Sequence, residues 1–251
     1  MRHPRRAGRA GRRARTAWLA ALVAAAASAG TNAASATAPQ AGSPALLKVM
    51  ALGDSLTAGA GSSHGGGYRL TFWTRLREEG LEVDMVGGKA DGPETLDVRH
   101  QGYAPGTLHE ISALAYDKLR DYEPDVVLVL AGTDEWRDDR FSPPSFAVNL
   151  GVLIDRILTA RPAAQIFVGT IPPPKFGKHE AEKRQLNRLI RREVNERGER
   201  GQPVHLVDLF EVLDPVRDML DANRPNDSGY EKIGEAFADA VLAVVGGGEP
   251  E

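Results

Sequence analysis

The sequence predicts an α/β fold in which helices cover both faces of a five-stranded parallel sheet. Five short apolar runs bounded by turn residues are typical of buried strands. The runs begin 37, 43, 40 and 38 residues apart, which leaves room for one helix and two loops between successive strands. The predicted strands are residues 46–52, 83–86, 126–130, 166–171 and 204–210.

Two of the intervening segments show the apolar spacing of amphipathic helices, which is the second observation behind this fold. Residues 180–197 and the last segment of the chain each carry one apolar stripe among charged residues, and we expect both stripes in the core. They consist of Leu186, Leu189, Ile190 and Val194 in the first segment and of Tyr230, Ile233, Phe237 and Val241 in the second. Because parallel strands end at one edge of the sheet, functional residues are expected in the loops after them.

The composition describes a soluble globular protein with an unusual N-terminus. Of the 251 residues, 42% are hydrophobic and 26% are charged. The first 30 residues contain seven arginines and no acid, whereas the remainder has 24 basic and 34 acidic residues and a formal charge of −10. An acidic body without a basic stripe argues against nucleic acid and against anionic membranes as partners.

The arginine-rich start and the apolar run at 16–29 predict a signal peptide over residues 1–30. The run is too short to span a bilayer comfortably, although a single-pass anchor is the rival interpretation. Residues 31–44 are small, polar and proline-containing, which predicts a flexible linker. We therefore expect one domain at 45–246, a disordered tail at 247–251, and a secreted or cell-surface protein without membrane contact after cleavage. The chain has no cysteine, so it uses no disulfide.

A candidate nucleophile follows the first predicted strand. Ser55 stands in the segment GDSLTAG at 53–59, where a glycine permits the tight turn that presents a hydroxyl to solvent. The alternative is that Asp54 or Ser55 only caps a helix. A phosphate-binding loop is disfavoured, because no Gly-Lys-Ser/Thr follows. We expect no metal and no cofactor, since no close spacing of His, Asp and Glu indicates a ligand set.

Four blocks in this order resemble the SGNH or GDSL hydrolases, and in particular their secreted carbohydrate-esterase-like branch. They are GDSLTAG at 53–59, RHQGYAPGTL at 99–108, AGTDE at 131–135 and DANRPNDSGY at 221–230. The resemblance implies a three-layer α/β/α sandwich that is flavodoxin-like. It also implies that a serine attacks an ester carbonyl, a histidine accepts the serine proton, and an aspartate orients the histidine. The serine N–H, a glycine N–H from the second block and an asparagine side chain from the third would bind the oxyanion.

Two positions depart from this pattern. Ser55 and Asp221 match the nucleophile and the orienting acid, but Arg224 stands at the histidine position and Asp134 at the asparagine position. Arginine stays protonated and offers only donors, so it cannot accept the serine proton. Removing the base of a serine triad costs on the order of 10⁶-fold, or about 8 kcal/mol. Loss of one oxyanion donor, measured by itself, costs ~3–4 kcal/mol of transition-state stabilisation.

The second block and the two substituted positions each leave an alternative. When the second block is aligned with the family's pattern without a gap, the glycine that supplies the oxyanion N–H corresponds to Pro105; with a shift of one residue it corresponds to Gly106. We expect Gly106, because proline has no N–H. In the family's geometry the two substituted side chains flank the serine, which suggests an ion pair between Asp134 and Arg224. The alternative is that Arg224 pairs with its neighbour Asp221 or points to solvent.

Together these features predict a secreted SGNH/GDSL-like protein with weak or absent esterase activity that binds a small-molecule or carbohydrate ester near Ser55. One alternative is an active esterase or deacetylase with a substitute base, for which His64 and His100 are the first candidates. Another is a non-hydrolytic enzyme in which Asp134 moves a proton and Arg224 holds an anion. A purely structural role is disfavoured, because GDSLTAG is intact.

Overall fold

The computed structural model describes residues 46–93, 99–135, 141–177 and 179–246. Within these residues, seven strands form one sheet that is parallel except at one edge. The predicted signal peptide, linker and C-terminal tail lie outside the described residues. The strands are β1 (Leu47–Gly53), β2 (Val83–Met85), β3 (Lys89–Ala90), β4 (Arg99–Gly102), β5 (Val126–Leu130), β6 (Gln165–Gly169) and β7 (Val204–Val207).

The five predicted strands pair in the spatial order β2-β1-β5-β6-β7, and all of these pairs are parallel. At the carboxyl end of β1, Gly53 lies opposite Leu130 of β5 on one side and Gly102 of β4 on the other. The short β3 pairs antiparallel with β4 at the edge. The predicted α/β sandwich is confirmed, with β3 and β4 added to the five strands expected.

Six α-helices are present in the described part of the chain, and they cover both faces of the sheet. They are α1 (Tyr68–Glu78), α2 (Leu108–Tyr122), α3 (Pro143–Ala160), α4 (Glu180–Glu199), α5 (Leu209–Val212) and α6 (Asp227–Val245). Side chains of α2, α3 and α4 form one core cluster, and those of α1 and α6 form the other. Alternate residues of β5 enter the two clusters, so Val127 faces the first and Leu128 the second. The predicted stripes of α4 and α6 are buried, apart from the partly buried Leu189.

Three predicted strands end earlier than expected, β2 by a single residue, at Met85. The apolar run at 204–210 is strand only to Val207, because Asp208 turns the chain into α5. Thr170 holds this turn: its hydroxyl donates to Asp208 Oδ1 at 3.1 Å and accepts the N–H of Phe210 at 2.9 Å. The strand predicted at 166–171 ends at Gly169. None of the helices in the described ranges is long and apolar enough to cross a membrane.

Candidate functional site

Ser55 lies on a tight turn at the carboxyl end of β1, as the sequence predicts. The preceding Gly53 has no space for a side chain, because a Cβ there would lie 1.9 Å from the carbonyl oxygen of Leu130. The turn then closes through hydrogen bonds from the N–H of Ala58 to Asp54 O and from the N–H of Ala60 to Ser55 O. Ser55 is partly exposed in this position. A close approach of two strands therefore fixes where the hydroxyl is presented.

The neighbouring Asp54 joins this turn to the loop after β5. Its Oδ1 accepts the N–H of Leu56 at 2.9 Å. Its Oδ2 accepts the N–H of Gly132 at 3.0 Å and both the N–H and the hydroxyl of Thr133 at 2.8 and 2.7 Å. Complete burial raises the carboxyl pKa to about 6, although the hydrogen bonds from Thr133 oppose the rise. The buried Asp54 thus connects the first and third sequence blocks through hydrogen bonds.

The second and third blocks meet where the N–H of Gly106 donates to Asp134 Oδ2 at 3.0 Å. Gly106 is buried in this contact, whereas Pro105 is exposed. The residue that reaches Asp134 is therefore Gly106. Thr107 follows as the N-cap of α2 and forms a capping box with Glu110, which fixes the orientation of the preceding backbone. The carboxylate of Asp134 therefore accepts the N–H of Gly106, which the family resemblance assigns to binding the oxyanion.

The predicted ion pair between Asp134 and Arg224 is wrong. Arg224 Nε and Nη2 lie 2.7 and 2.6 Å from Oδ2 of Asp221, three residues earlier. The other oxygen, Oδ1, accepts the N–H groups of Asn223 and Arg224 at 2.9 and 2.8 Å. Burial raises the pKa of Asp221, but these hydrogen bonds outweigh it and hold the pKa below its ordinary value. The local turn brings Arg224 to Asp221 with little chain to order, whereas Asp134 is bound by Gly106 instead.

The C-terminal segment that carries this pair packs directly on the serine loop. The hydroxyl of Tyr230 donates to the carbonyl oxygen of Ala60 at 2.7 Å. A Cβ at Gly61 would lie 2.9 Å from Pro225 O and 3.2 Å from Arg224 Cβ, so the two backbones touch where only glycine fits. The fold therefore brings the first and last sequence blocks together, as the resemblance implies.

Lys183 is a component of this region that the sequence reasoning missed. Its ammonium is buried under the C-terminal segment and donates to the carbonyl oxygens of Pro172 at 3.2 Å and Ala222 at 2.7 Å. Burial lowers its pKa to about 8, although the charges of Asp221 and Asp54 oppose this. A signal was present, because Lys183 falls on the apolar stripe of α4 at the position three residues before Leu186.

The two candidate substitute bases are engaged elsewhere. His100 is fully buried; its Nδ1 accepts the N–H of Gly102 at 2.9 Å and its Nε2 lies 3.1 Å from Asp91 Oδ2. Burial lowers the pKa of His100 to about 4. The Nδ1 of His64 accepts a backbone N–H at 3.2 Å and lies 3.3 Å from the hydroxyl of a serine in its own loop. In the described ranges, no imidazole is hydrogen-bonded to Ser55.

The described residues include no cluster of three or more His, Asp or Glu side chains that is placed to hold a metal ion. The site groups that the structure shows are the hydroxyl of Ser55, the Gly106–Asp134 contact, the Asp221–Arg224 ion pair, and the buried Asp54 and Lys183. These groups can bind a ligand through hydrogen bonds. They do not include a neutral imidazole positioned to accept a proton from the serine.

A serine turn at the end of the first parallel strand, with loops from the second, third and last blocks packed around it, is the site architecture of the SGNH class of serine hydrolases. The chain belongs to the GDSL-like lipase/acylhydrolase family, whose sequence model matches residues 51–232. The assignment agrees with the four blocks that carry the resemblance in the sequence.

Similar proteins of known type are esterases. The chain is 26% identical over 234 residues to a multidomain esterase of Ruminococcus flavefaciens; the match covers 82% of this chain and 30% of that protein. This chain therefore spans less than a third of that curated relative. A Clostridium thermocellum family 3 carbohydrate esterase is 28% identical with a TM-score of 0.70, and the match covers 80% of this chain and all of that structure. A family 3 carbohydrate esterase from Talaromyces cellulolyticus has the same fold at 21% identity and a TM-score of 0.70, over 81% of this chain and all of its own.

Proposed function

We propose that this protein is an exported member of the GDSL family that binds an acylated carbohydrate beside Ser55 and hydrolyses esters weakly or not at all. The observation that carries the proposal is the ion pair between Arg224 and Asp221 at 2.6 Å. The aspartate that would orient a histidine instead binds a guanidinium, which has no lone pair to accept the serine proton. The serine is left without a base.

The oxyanion side of the site supports the same conclusion. A tetrahedral intermediate needs donors where its negative charge develops. Here the N–H of Gly106 is occupied by Asp134, so a developing oxyanion meets a carboxylate instead of an amide donor. The loss of the base alone predicts a decrease on the order of 10⁶-fold, and the effect of the carboxylate is not summed with it, because such groups act as a unit.

The ligand class is proposed from the similar proteins and from the remaining site. Carbohydrate esterases share the fold, and one of them shares 28% of its sequence with this chain. The serine turn and its supporting hydrogen bonds are complete, so the surface that would receive an ester is retained while the proton-transfer group is not. Binding without efficient turnover is the function that fits both facts.

The test is hydrolysis of p-nitrophenyl acetate by the purified protein and by Ser55→Ala. We expect the two to be equal within error. Serine-dependent turnover well above this background would overturn the proposal and favour an esterase with a substitute base.

The double variant Arg224→His with Asp134→Asn asks whether the scaffold is otherwise competent. We expect it to gain serine-dependent turnover, because it restores both a base and an amide donor. The matched control is Arg188→His with Asp117→Asn, which makes the same chemical changes at exposed positions of α4 and α2. If the control gains as much as the double variant, the assignment of the defect to Arg224 and Asp134 is wrong.

Export is proposed from the seven arginines and the apolar run at 16–29. Expression of the full chain should release a protein that begins between about residues 30 and 40, as read by mass spectrometry of the medium. Leu22→Asp places a charge in the apolar run and should leave the uncleaved chain inside the cell. Recovery of the full-length chain in the membrane fraction would favour the single-pass anchor instead.

A further inference from the structure

A cavity opens at the same edge of the sheet as Ser55. It has a volume of about 420 Å³ and lies between the loops that follow β6 and β7. Its wall is largely apolar, with two phenylalanines, three prolines, a leucine and a valine. Three charged side chains, Glu180, Arg184 and Glu211, also line it. An apolar pocket with a few convergent polar groups is the usual form of a small-ligand site.

The polar side of this cavity is an ion pair. Arg184 Nε and Nη2 lie 2.9 and 2.8 Å from Glu180 Oε1, and the guanidinium carbon lies 4.5 Å from the ring centroid of Phe210. The guanidinium thus contacts both a carboxylate and an aromatic ring. Its Nη1 makes no hydrogen bond to a residue that the structure describes. Arg184 therefore has a donor available to a ligand.

Phe176 forms the exposed rim of the cavity. Its side chain is 86% exposed, and its backbone has φ 60° and ψ 26°, in the left-handed region. A residue other than glycine pays in strain for this conformation, and such strain is concentrated at functional sites. Burial does not explain an aromatic ring at this position; its one ring contact in the described residues is with the ammonium of Lys175, 5.5 Å from the ring centroid. The ring contributes apolar surface to the same cavity that Arg184 lines.

The loop that lines the cavity contacts the C-terminal segment that packs on the serine loop. The N–H of Lys175, next to Phe176, lies 3.4 Å from the carbonyl oxygen of Asp221. The strand order β1-β5-β6-β7 separates the serine from the cavity by two to three strand spacings, or about 10–15 Å. A short oligosaccharide covers that distance.

We propose that this cavity is a sugar-binding subsite, which holds one glycosyl residue of a glycan chain whose acylated sugar lies at Ser55. The C–H face of the sugar stacks on Phe176, and its hydroxyls bond to Arg184 and to the carboxylates of Glu180 and Glu211. A fatty acyl chain fits the apolar wall but would desolvate the Arg184–Glu180 pair without replacing its hydrogen bonds. A sugar satisfies both sides of the cavity. The proposal rests on the proposed function, whose ligand class it extends from one sugar to a chain.

The test is calorimetric titration of the purified protein with xylohexaose and cellohexaose, and with xylose and glucose as single-sugar probes. We expect one of the hexasaccharides to bind more tightly than its single sugar. Phe176→Ala should weaken hexasaccharide binding by about tenfold, and Phe176→Trp should retain it. The control is Val148→Ala, a truncation of another exposed apolar side chain (63% exposed) on α3, and it should change nothing.

Two results would overturn the subsite. They are equal hexasaccharide binding by Phe176→Ala and the unchanged protein, and no binding of either hexasaccharide. The p-nitrophenyl acetate assay does not involve this cavity. Failure of the subsite is therefore distinguishable from failure of the proposed function.

Discussion

Replacing Asp54 by asparagine should change how the stability of the protein depends on pH. The carboxyl is completely buried, and its pKa is raised from an ordinary value of 3.8 to about 6. A raised carboxyl pKa means that the folded state binds the proton more tightly than the unfolded state does. The stability that the protonated group contributes is therefore present below pH 3.8 and lost as the pH rises through about 6. At 1.36 kcal/mol per pH unit, the loss amounts to about 3 kcal/mol.

The assay is urea denaturation of the wild type and Asp54→Asn between pH 4 and pH 8. Asparagine has a similar shape and no proton to lose, so the unfolding free energy of the variant should lack the decrease of about 3 kcal/mol across this range. A constant difference from the altered hydrogen bond to Leu56 does not affect the slope. Asp117→Asn, on the exposed face of α2, should keep the wild-type slope. Parallel curves for the wild type and Asp54→Asn would refute the reasoning.

Three further predictions concern the surroundings of the site. The pKa of Lys183 is lowered to about 8. The unfolding free energy of the wild type should therefore rise by about 3 kcal/mol between pH 8 and 10.5 relative to that of Lys183→Met. Equal dependence of the two unfolding free energies on pH would contradict this. Thr107→Ala removes the N-cap of α2 and should lower the unfolding free energy by about 1 kcal/mol in urea denaturation, whereas an unchanged midpoint would show that the cap is dispensable. Arg224→Ala should raise the pKa of Asp221, as measured by NMR titration of its carboxyl carbon, and an unshifted pKa would mean that the backbone N–H groups alone control it.

The central fold was predictable because its strands are largely buried, β5 completely so. All five residues of β5 are buried, and a strand covered on both faces reads as a continuous apolar run. The short strands β3 and β4 were not predictable in this way, because their residues KA and RHQG carry no apolar pattern. They are strands because β4 pairs with the end of β1, where Gly102 lies opposite Gly53. This pairing depends on distant parts of the chain.

The site was predictable in its parts and not in its contacts. The sequence identifies Ser55, Gly106 and Asp134, and the structure brings the last two within 3.0 Å. The pairing of charges was not predictable from the blocks, because three charged groups lie in one small region. Asp134 and Asp221 both carry the sign that could pair with Arg224. A turn decides the competition locally: Asp221 already binds two backbone N–H groups of that turn, and Arg224 lies beside it.

The structural roles of buried polar residues could not be predicted from the apolar pattern of the sequence. Asn187 lies on the buried face of α4, and its side chain bonds both the N–H and the carbonyl oxygen of Ile171 at 2.8 and 2.9 Å. It holds the segment after β6 as a neighbouring strand would. Such a residue resembles any other polar residue of a charged helix in the sequence. Its role is visible only when the loop that it holds is known.

The carboxylate on the N–H of Gly106 has a practical consequence for how this protein would be observed. Fluorophosphonates and boronic acids capture serine hydrolases by placing an anionic oxygen among the same donors. Here the N–H of Gly106 is already bound by the carboxylate of Asp134. Because Asp134 belongs to the same chain, its effective concentration at this N–H exceeds that of a free reagent. Activity-based profiling should therefore leave this protein unlabelled, whereas affinity capture on an immobilised glycan should retain it if the proposed function is correct.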